Sequence, residues 1–185
     1  MKLPYNIINF VTFQVAWFVT IFSAANGLYY FGILLTVIWM LMHVKFVASK
    51  KLVEFKLLLA TILIAYPLES ILVASNMVSY PEQANVGFII PVWMICLWLN
   101  LAATINYSLS WLKGRLLVTC LLAAIAGPAA YYAGENIGAI SLNGTLSLFA
   151  ISLMWAVAMP CLFLISAVLH EHKSINHSVA KELTE

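Results

Sequence analysis

Glu69 is the one acidic residue set well inside an apolar stretch of this chain, so the search for chemistry starts there. A charged carboxyl exposed to hydrocarbon costs at least about 2.5–3.5 kcal/mol, so it must face protein or water, and such a residue is a functional candidate by default. Pro67, two residues earlier, frees a backbone carbonyl and is predicted to bend the helix at this level. Two readings of Glu69 stand side by side. It is a proton- or ligand-binding carboxyl, or it is an acid hydrogen-bonded to a neighbouring helix for packing alone.

Trp93, Cys96, Asn100, Thr104, Tyr107 and Trp111 follow one another at steps of three or four, which places them on one helix face. Asn100 is predicted to reach the level of Glu69, and Gln14 sits at a comparable depth with Trp17 one turn on. Gln14, Glu69 and Asn100 are therefore expected to form a polar layer, with Thr104, Tyr107 and Trp93 as further binding walls. Interhelical hydrogen bonds in membranes average about 0.6 kcal/mol, so the same layer serves equally as glue.

Other chemistries find less support. His43, His170, His172 and His177 lie near one face of the predicted bundle and are read as juxtamembrane polar residues. They do not make the converging ligand set that a metal needs, and no H-E-x-x-H helix is present. Cys96, Cys120 and Cys161 fall in three different apolar stretches, without disulfide or zinc spacing. Neither a G-x-S-x-G elbow nor a phosphate-binding glycine loop occurs. No metal or cofactor is expected, and an enzyme ranks behind the other readings.

The elements that must position these residues are six apolar stretches, Tyr5–Ala25, Leu28–Val47, Leu57–Val78, Phe88–Leu109, Leu116–Gly134 and Ser147–Leu169. Each is close to the roughly 20 residues that cross about 30 Å of hydrocarbon. The 185-residue chain is 64% hydrophobic and 9% charged, with mean hydropathy +0.99, against about 45–50% and 25% in soluble domains. The predicted fold is an all-α, polytopic bundle of six transmembrane helices over residues 1–169, with a polar cytoplasmic tail at 170–185. The first stretch is read as a retained helix, because Asn9, Thr12 and Gln14 interrupt its apolar run.

With the amino terminus inside, Lys2, Lys45, Lys50, Lys51, Lys56, Lys113, Arg115, Lys173 and Lys181 all become cytoplasmic. The outer connections carry only Glu82 and Glu135. This is the positive-inside pattern, and it puts both termini in the cytoplasm. A net charge of +2 gives no case for a nucleic-acid partner.

Ala126, Ala130, Gly134 and Gly138 repeat every fourth residue, a ladder suited to close helix packing against a membrane-protein partner or a second copy. Tyr131 and Tyr132 beside it are expected in an outer interfacial belt. Ala65-Tyr66-Pro67 and Ala158-Met159-Pro160 share an interruption, too slight a match to carry an inverted repeat.

Several runs also carry a resemblance. They are Pro91-Val92-Trp93-Met94, Leu97-Trp98, the stretch from Thr104 to Arg115, Gly127-Pro128-Ala129-Ala130-Tyr131, Ala133-Gly134 and Gly138-Ala139. Phe13-Gln14, Trp17, Ala24 to Gly27, Trp155-Ala156 and Ala158-Met159-Pro160 extend the match to both ends. Together they resemble the bacterial inner-membrane family known as domain of unknown function 2878. Glu69 stands where that family has an aspartate and Tyr107 where it has a histidine, which puts any site relying on that imidazole in doubt here. The resemblance implies an inner-membrane location and a lipid context, and names no substrate. Two functions follow as expectations. Either the chain binds or moves a small or lipid-like molecule with Glu69 as its protonatable group, membrane lipid being the natural partner. Or it is a non-catalytic scaffold subunit of a membrane enzyme, in lipid modification.

Overall fold

A computed structural model describes residues 5–84 and 89–182, with side chains to residue 171. Helix α1 (Tyr5–Ala25) turns at Gly27 into α2 (Tyr29–Met42), which runs on into a π turn at His43–Val47. Then come α3 (Lys51–Ala74), strand β1 (Val78–Ser79), α4 (Val92–Ile105), α5 (Leu116–Ile137), β2 (Ser141–Leu142) and α6 (Thr145–Glu182). The first turn needs positive φ at Gly27 (+72°), which glycine adopts without penalty. Gly138 ends α5 in the left-handed conformation (φ +89°), with its N–H on the Glu135 carbonyl and that of Ala139 on Gly134.

Five helical segments are long and apolar enough to cross a bilayer: Tyr5–Ala25, Tyr29–Val47, Lys51–Ala74, Leu116–Ile137 and Thr145–Glu171. The chain is a multi-pass membrane protein of all-α class. The fourth expected span is shorter than the sequence suggested. Phe88 lies outside the described residues, and α4 covers 14 residues instead of the 22 from Phe88 to Leu109. Pro91 sets an extended backbone at its start, and at the other end the chain leaves the helix at Asn106 for two tight turns. The third span also begins earlier, at Lys51, and stops at Ala74. Lys2, Lys173, Lys181, His172 and His177 fall outside the residues whose side chains are described.

The short α4 is the central helix. Ten of its fourteen residues are buried, more than on any outer helix among the described residues, because α1, α2 and α3 all pack on it. Around it the order runs α1, α2, then α3, α6 and α5. Gly32 lets α1 and α2 close up, since a Cβ there would stand 2.9 Å from the Thr20 Cα. Thr20 and Thr36 hydroxyls bond across the same contact at 3.0 Å. In lipid such packing and hydrogen bonding hold helices together, because apolar side chains gain nothing by leaving an apolar solvent. Large apolar side chains face outward on the helices, as at Phe22, Leu63, Leu117 and Val157. The ring of helices does not close evenly. Contact between α1 and α5 is sparse, and a groove opens there.

The two ends differ in character. The α2–α3 and α4–α5 turns bring Lys45, Lys50, Lys51, Lys113 and Arg115 to one end. At the other, β1 and β2 pair antiparallel, Val78 with Leu142 and Ser79 with Ser141, tying the α3–α4 loop to the α5–α6 loop. Asn143 reinforces the tie by donating from Nδ2 to the Asn76 carbonyl at 2.6 Å.

Candidate functional site

Glu69 lies five residues before the end of α3, so it sits toward the strand-paired end of the bundle and not at mid-depth. It is completely buried. Three donors converge on its carboxyl. The Trp98 indole N–H on α4 reaches Oε1 at 2.7 Å, the Tyr131 hydroxyl on α5 donates to the same oxygen, and the Tyr80 hydroxyl reaches Oε2 at 3.2 Å. Trp98 can only donate, whereas a tyrosine hydroxyl donates or accepts. Oε1 is thus held as an acceptor, and Oε2 can take a proton while keeping Tyr80 as its partner. Trp93, one of the expected wall residues, meets the Tyr80 ring edge-on at 5.7 Å and belongs to this cluster.

The remaining expected residues are placed elsewhere. Gln14 is exposed on the outward face of α1, beside Val11, Val15 and Phe18, and does not join a polar layer. Asn100 is buried, but two residues from Trp98 it points from nearly the opposite side of α4. It donates to the Phe13 carbonyl on α1 at 2.9 Å, and its Oδ1 has no partner among the described residues. Thr104 bonds back to the Leu101 carbonyl at 2.6 Å. The layer of Gln14, Glu69 and Asn100 therefore does not form. Aromatic N–H and O–H groups supply Glu69 instead. Tyr131, expected at an interface, is buried; its neighbour Tyr132 is exposed.

Tyr107 goes to a second cluster, at the basic end. Its ring meets His43 edge-on at 4.9 Å and Tyr5 at 5.4 Å. The π turn after α2 begins at His43, which is fully buried. Glu54, on the first turn of α3, accepts from Asn106 Nδ2 at 2.8 Å through Oε1, while Oε2 stands 3.9 Å from His43 Nε2. Asn106 Oδ1 accepts from Ser166 on α6 at 2.7 Å and from Lys113 Nζ at 2.6 Å. Partial burial pulls the Lys113 ammonium below its usual 10.5; the Glu54 charge opposes this and the like charge of Lys50 adds to it. Sequence reading missed this cluster, because His43 and Glu54 border a basic loop and look solvated. The available signal was that Glu54, Thr61, Ala65 and Glu69 recur on one face of α3.

The groove between α1 and α5 has a volume of about 460 Å³. Phe13 and Trp17 form one wall, Ala126, Ala130 and Gly134 the other, and Leu97, Trp98 and Leu101 of α4 the floor. The small-residue ladder thus edges a groove inside the chain. Among the described residues no charged side chain lines it, but Trp98 and Tyr131 do, the two residues that hold Glu69 Oε1.

Comparison with known proteins gives one match. A family described as "Protein of unknown function (DUF2878)" matches residues 6–161. No curated protein and no solved structure matches the chain.

Proposed function

The chain belongs to the DUF2878 family, and from that premise we propose that it holds a hydrophobic, lipid-like molecule in the groove between α1 and α5. One observation carries the reading. Trp98 and Tyr131 are at once groove wall and ligands of a buried carboxyl, so anything seated in the groove touches the residues that hold Glu69. Apolar pockets of about 300–1,000 Å³ with a few convergent polar groups are the usual form of a small-molecule site. From Thr119 to Gly134 the groove follows α5 for about 22 Å, at 1.5 Å per residue. An extended chain advances roughly 1.2 Å per bond, so about eighteen bonds fit along it. Glu69 is the protonatable group of this reading. Changes in its protonation would be felt in the groove through Tyr131 and Trp98.

A bacterial inner-membrane location with cytoplasmic termini is part of the proposal, supported by the gathering of basic residues at one end. The scaffold reading is favoured by a different observation, the complete burial of Glu69 behind three donors. The two separate on labelling with a diazirine-bearing alkane in membranes. A groove site predicts adducts on Phe13, Leu101 and Ala126 that disappear in Ala130→Trp, which fills the groove. Adducts confined to outward residues such as Leu63 and Val157, unchanged by Ala130→Trp, would remove the binding reading and leave the scaffold.

A further inference from the structure

The groove between α1 and α5 has two unlike ends. At the strand-paired end Ile21, Met94 and Ile140 line it and are all buried. A Cβ on Gly134 would stand 3.6 Å from Ile140 and 3.8 Å from Ile21, so α1 closes on α5 at this level. At the basic end the lining passes from Thr119 on α5 to Leu109, Trp111 and Leu112 in the α4–α5 turn. Trp111 is 52% exposed, and the groove has its mouth there.

A cation stands in line with that mouth. Arg115 is the residue before the first turn of α5, and Thr119 returns both its N–H and its hydroxyl to the Arg115 carbonyl, at 2.9 and 3.1 Å. Thr119, Ala123, Ala126 and Ala130 line the groove at steps of three or four, and Arg115 heads the same stripe. Its side chain is exposed and makes no hydrogen bond or ion pair with any described residue. Lys113, two residues earlier, already donates to Asn106. Orientation in the membrane asks only for a cation in this turn, which Lys113 supplies. It does not ask for one aligned with the groove.

Opposing charge is missing from the walls. No Asp or Glu occurs in residues 1–53 or 83–134, which include α1, α4, the α4–α5 turn and α5 as far as Gly134. Glu54 and Glu171, the described acids at this end, stand on α3 and α6 and do not line the groove. A phosphate or carboxylate takes two parallel N–H bonds from one guanidinium, whereas a cationic head would meet like charge at Arg115.

Resting on the groove reading above, we infer that the ligand is an anionic amphiphile, its chain running from Thr119 toward Gly134 and its oxygen-bearing head held by Arg115. Arg115 lies four residues, about 6 Å, from Thr119 along the chain direction of α5. The head therefore sits just outside the apolar lining, at the basic end, and the chain alone fills the groove.

The full chain in nanodiscs of phosphatidylcholine, labelled with the diazirine-bearing alkane, gives the test by competition. The competitors share one chain and differ in the head: octadecyl phosphate, octadecanol and octadecyltrimethylammonium. The phosphate should displace the alkane from Phe13, Leu101 and Ala126 at about one-tenth the concentration that the alcohol needs, the worth of one charge-assisted hydrogen bond. The trimethylammonium should do no better than the alcohol. Arg115→Gln should erase most of the preference while the alkane adducts remain, and Arg115→Lys should keep part of it, as a charge without the fork. Lys51→Gln removes the same charge from the exposed start of α3 and should leave the preference unchanged. Equal displacement by the three heads, a preference that survives Arg115→Gln, or one that Lys51→Gln also removes overturns the inference and leaves the groove reading intact. Absence of alkane adducts in the groove of the parent protein overturns the groove reading, and the inference falls with it.

Discussion

Trp155 lies flat against Trp98, and the absent side chain of Gly127 makes the room for it. The stack joins α4 to α6, and Gly127 lets α5 close over its edge. In Gly127→Ala the new methyl would stand 2.4 Å from the indole, so ring or backbone must shift. Overpacking of this kind costs about 1–3 kcal/mol. Gly134→Ala is the control, because its Cβ would meet Ile140 and Ile21 at 3.6 and 3.8 Å, ordinary contact distances. Helix propensity then favours alanine by up to about 1 kcal/mol. Reversible unfolding in mixed micelles should show the first variant destabilised and the second unchanged or slightly stabilised.

Glu69→Leu removes the acceptor from three donors at once: Trp98 is left buried without its acceptor, and the Tyr131 hydroxyl loses the oxygen it donates to. The expected loss is about 2–5 kcal/mol, since each buried donor left unmade costs about 1–3. Glu69→Gln keeps one carbonyl oxygen for Trp98 and should lose less than half as much. Equal losses for the two variants in the same unfolding assay would show that hydrogen bonding is not what Glu69 contributes.

At the basic end, Asn106 joins Glu54 on α3, Ser166 on α6 and Lys113 in the following turn. Asn106→Leu should cost about 1–3 kcal/mol, because Glu54 loses the one hydrogen bond it has among the described residues while remaining buried. Gln14→Leu, on the outward face of α1, should stay within about 0.5 kcal/mol of the parent. A large effect of the second and none of the first would reverse the assignment of polar contacts given above.

Lys113 gives a pH dependence of definite sign. Its folded pKa is below 10.5, so the folded state binds its proton less well than the unfolded chain does. Its charged form costs stability at lower pH. That cost is relieved as pH rises from the folded pKa toward 10.5, and stability increases over this window. Nuclear magnetic resonance of isotope-labelled lysine should show Lys113 titrating below the usual 10.5. Glu54→Gln should lower it further, because the one opposing charge is then gone.

What was legible in the sequence was whatever depends on local pattern. Apolar stretches of the right length gave the long helices, and Glu69 stood out as an acid among apolar residues. The family match over residues 6–161 agrees with the resemblance read from Trp93, Trp98 and the Gly127–Tyr131 run. The partners of Glu69 were hidden because Trp and Tyr have two common roles in membrane proteins, interface anchor and buried donor, and sequence position does not separate them. Trp98 is buried because α4 is central, and Tyr131 because it turns toward α4 while Tyr132 turns away. Gln14 and Asn100 were matched by depth alone. Depth says nothing of direction around the helix axis, and there the two differ.

The shortness of α4 has a consequence for how the protein is made. At about 21 Å its 14 residues fall short of the roughly 30 Å of hydrocarbon, and Asn100 makes the segment less willing to partition into lipid. Its walls arrive in two instalments during synthesis. The helices α1 to α3 come before it and offer the Phe13 carbonyl and Glu69, whereas Tyr131 and Trp155 are still to be translated. A nascent chain halted before α5 would hold Glu69 by Trp98 and Tyr80 alone, with the outer face of Trp98 uncovered. Maturation of the Glu69 site is therefore a late event, completed only when the last helix has been inserted.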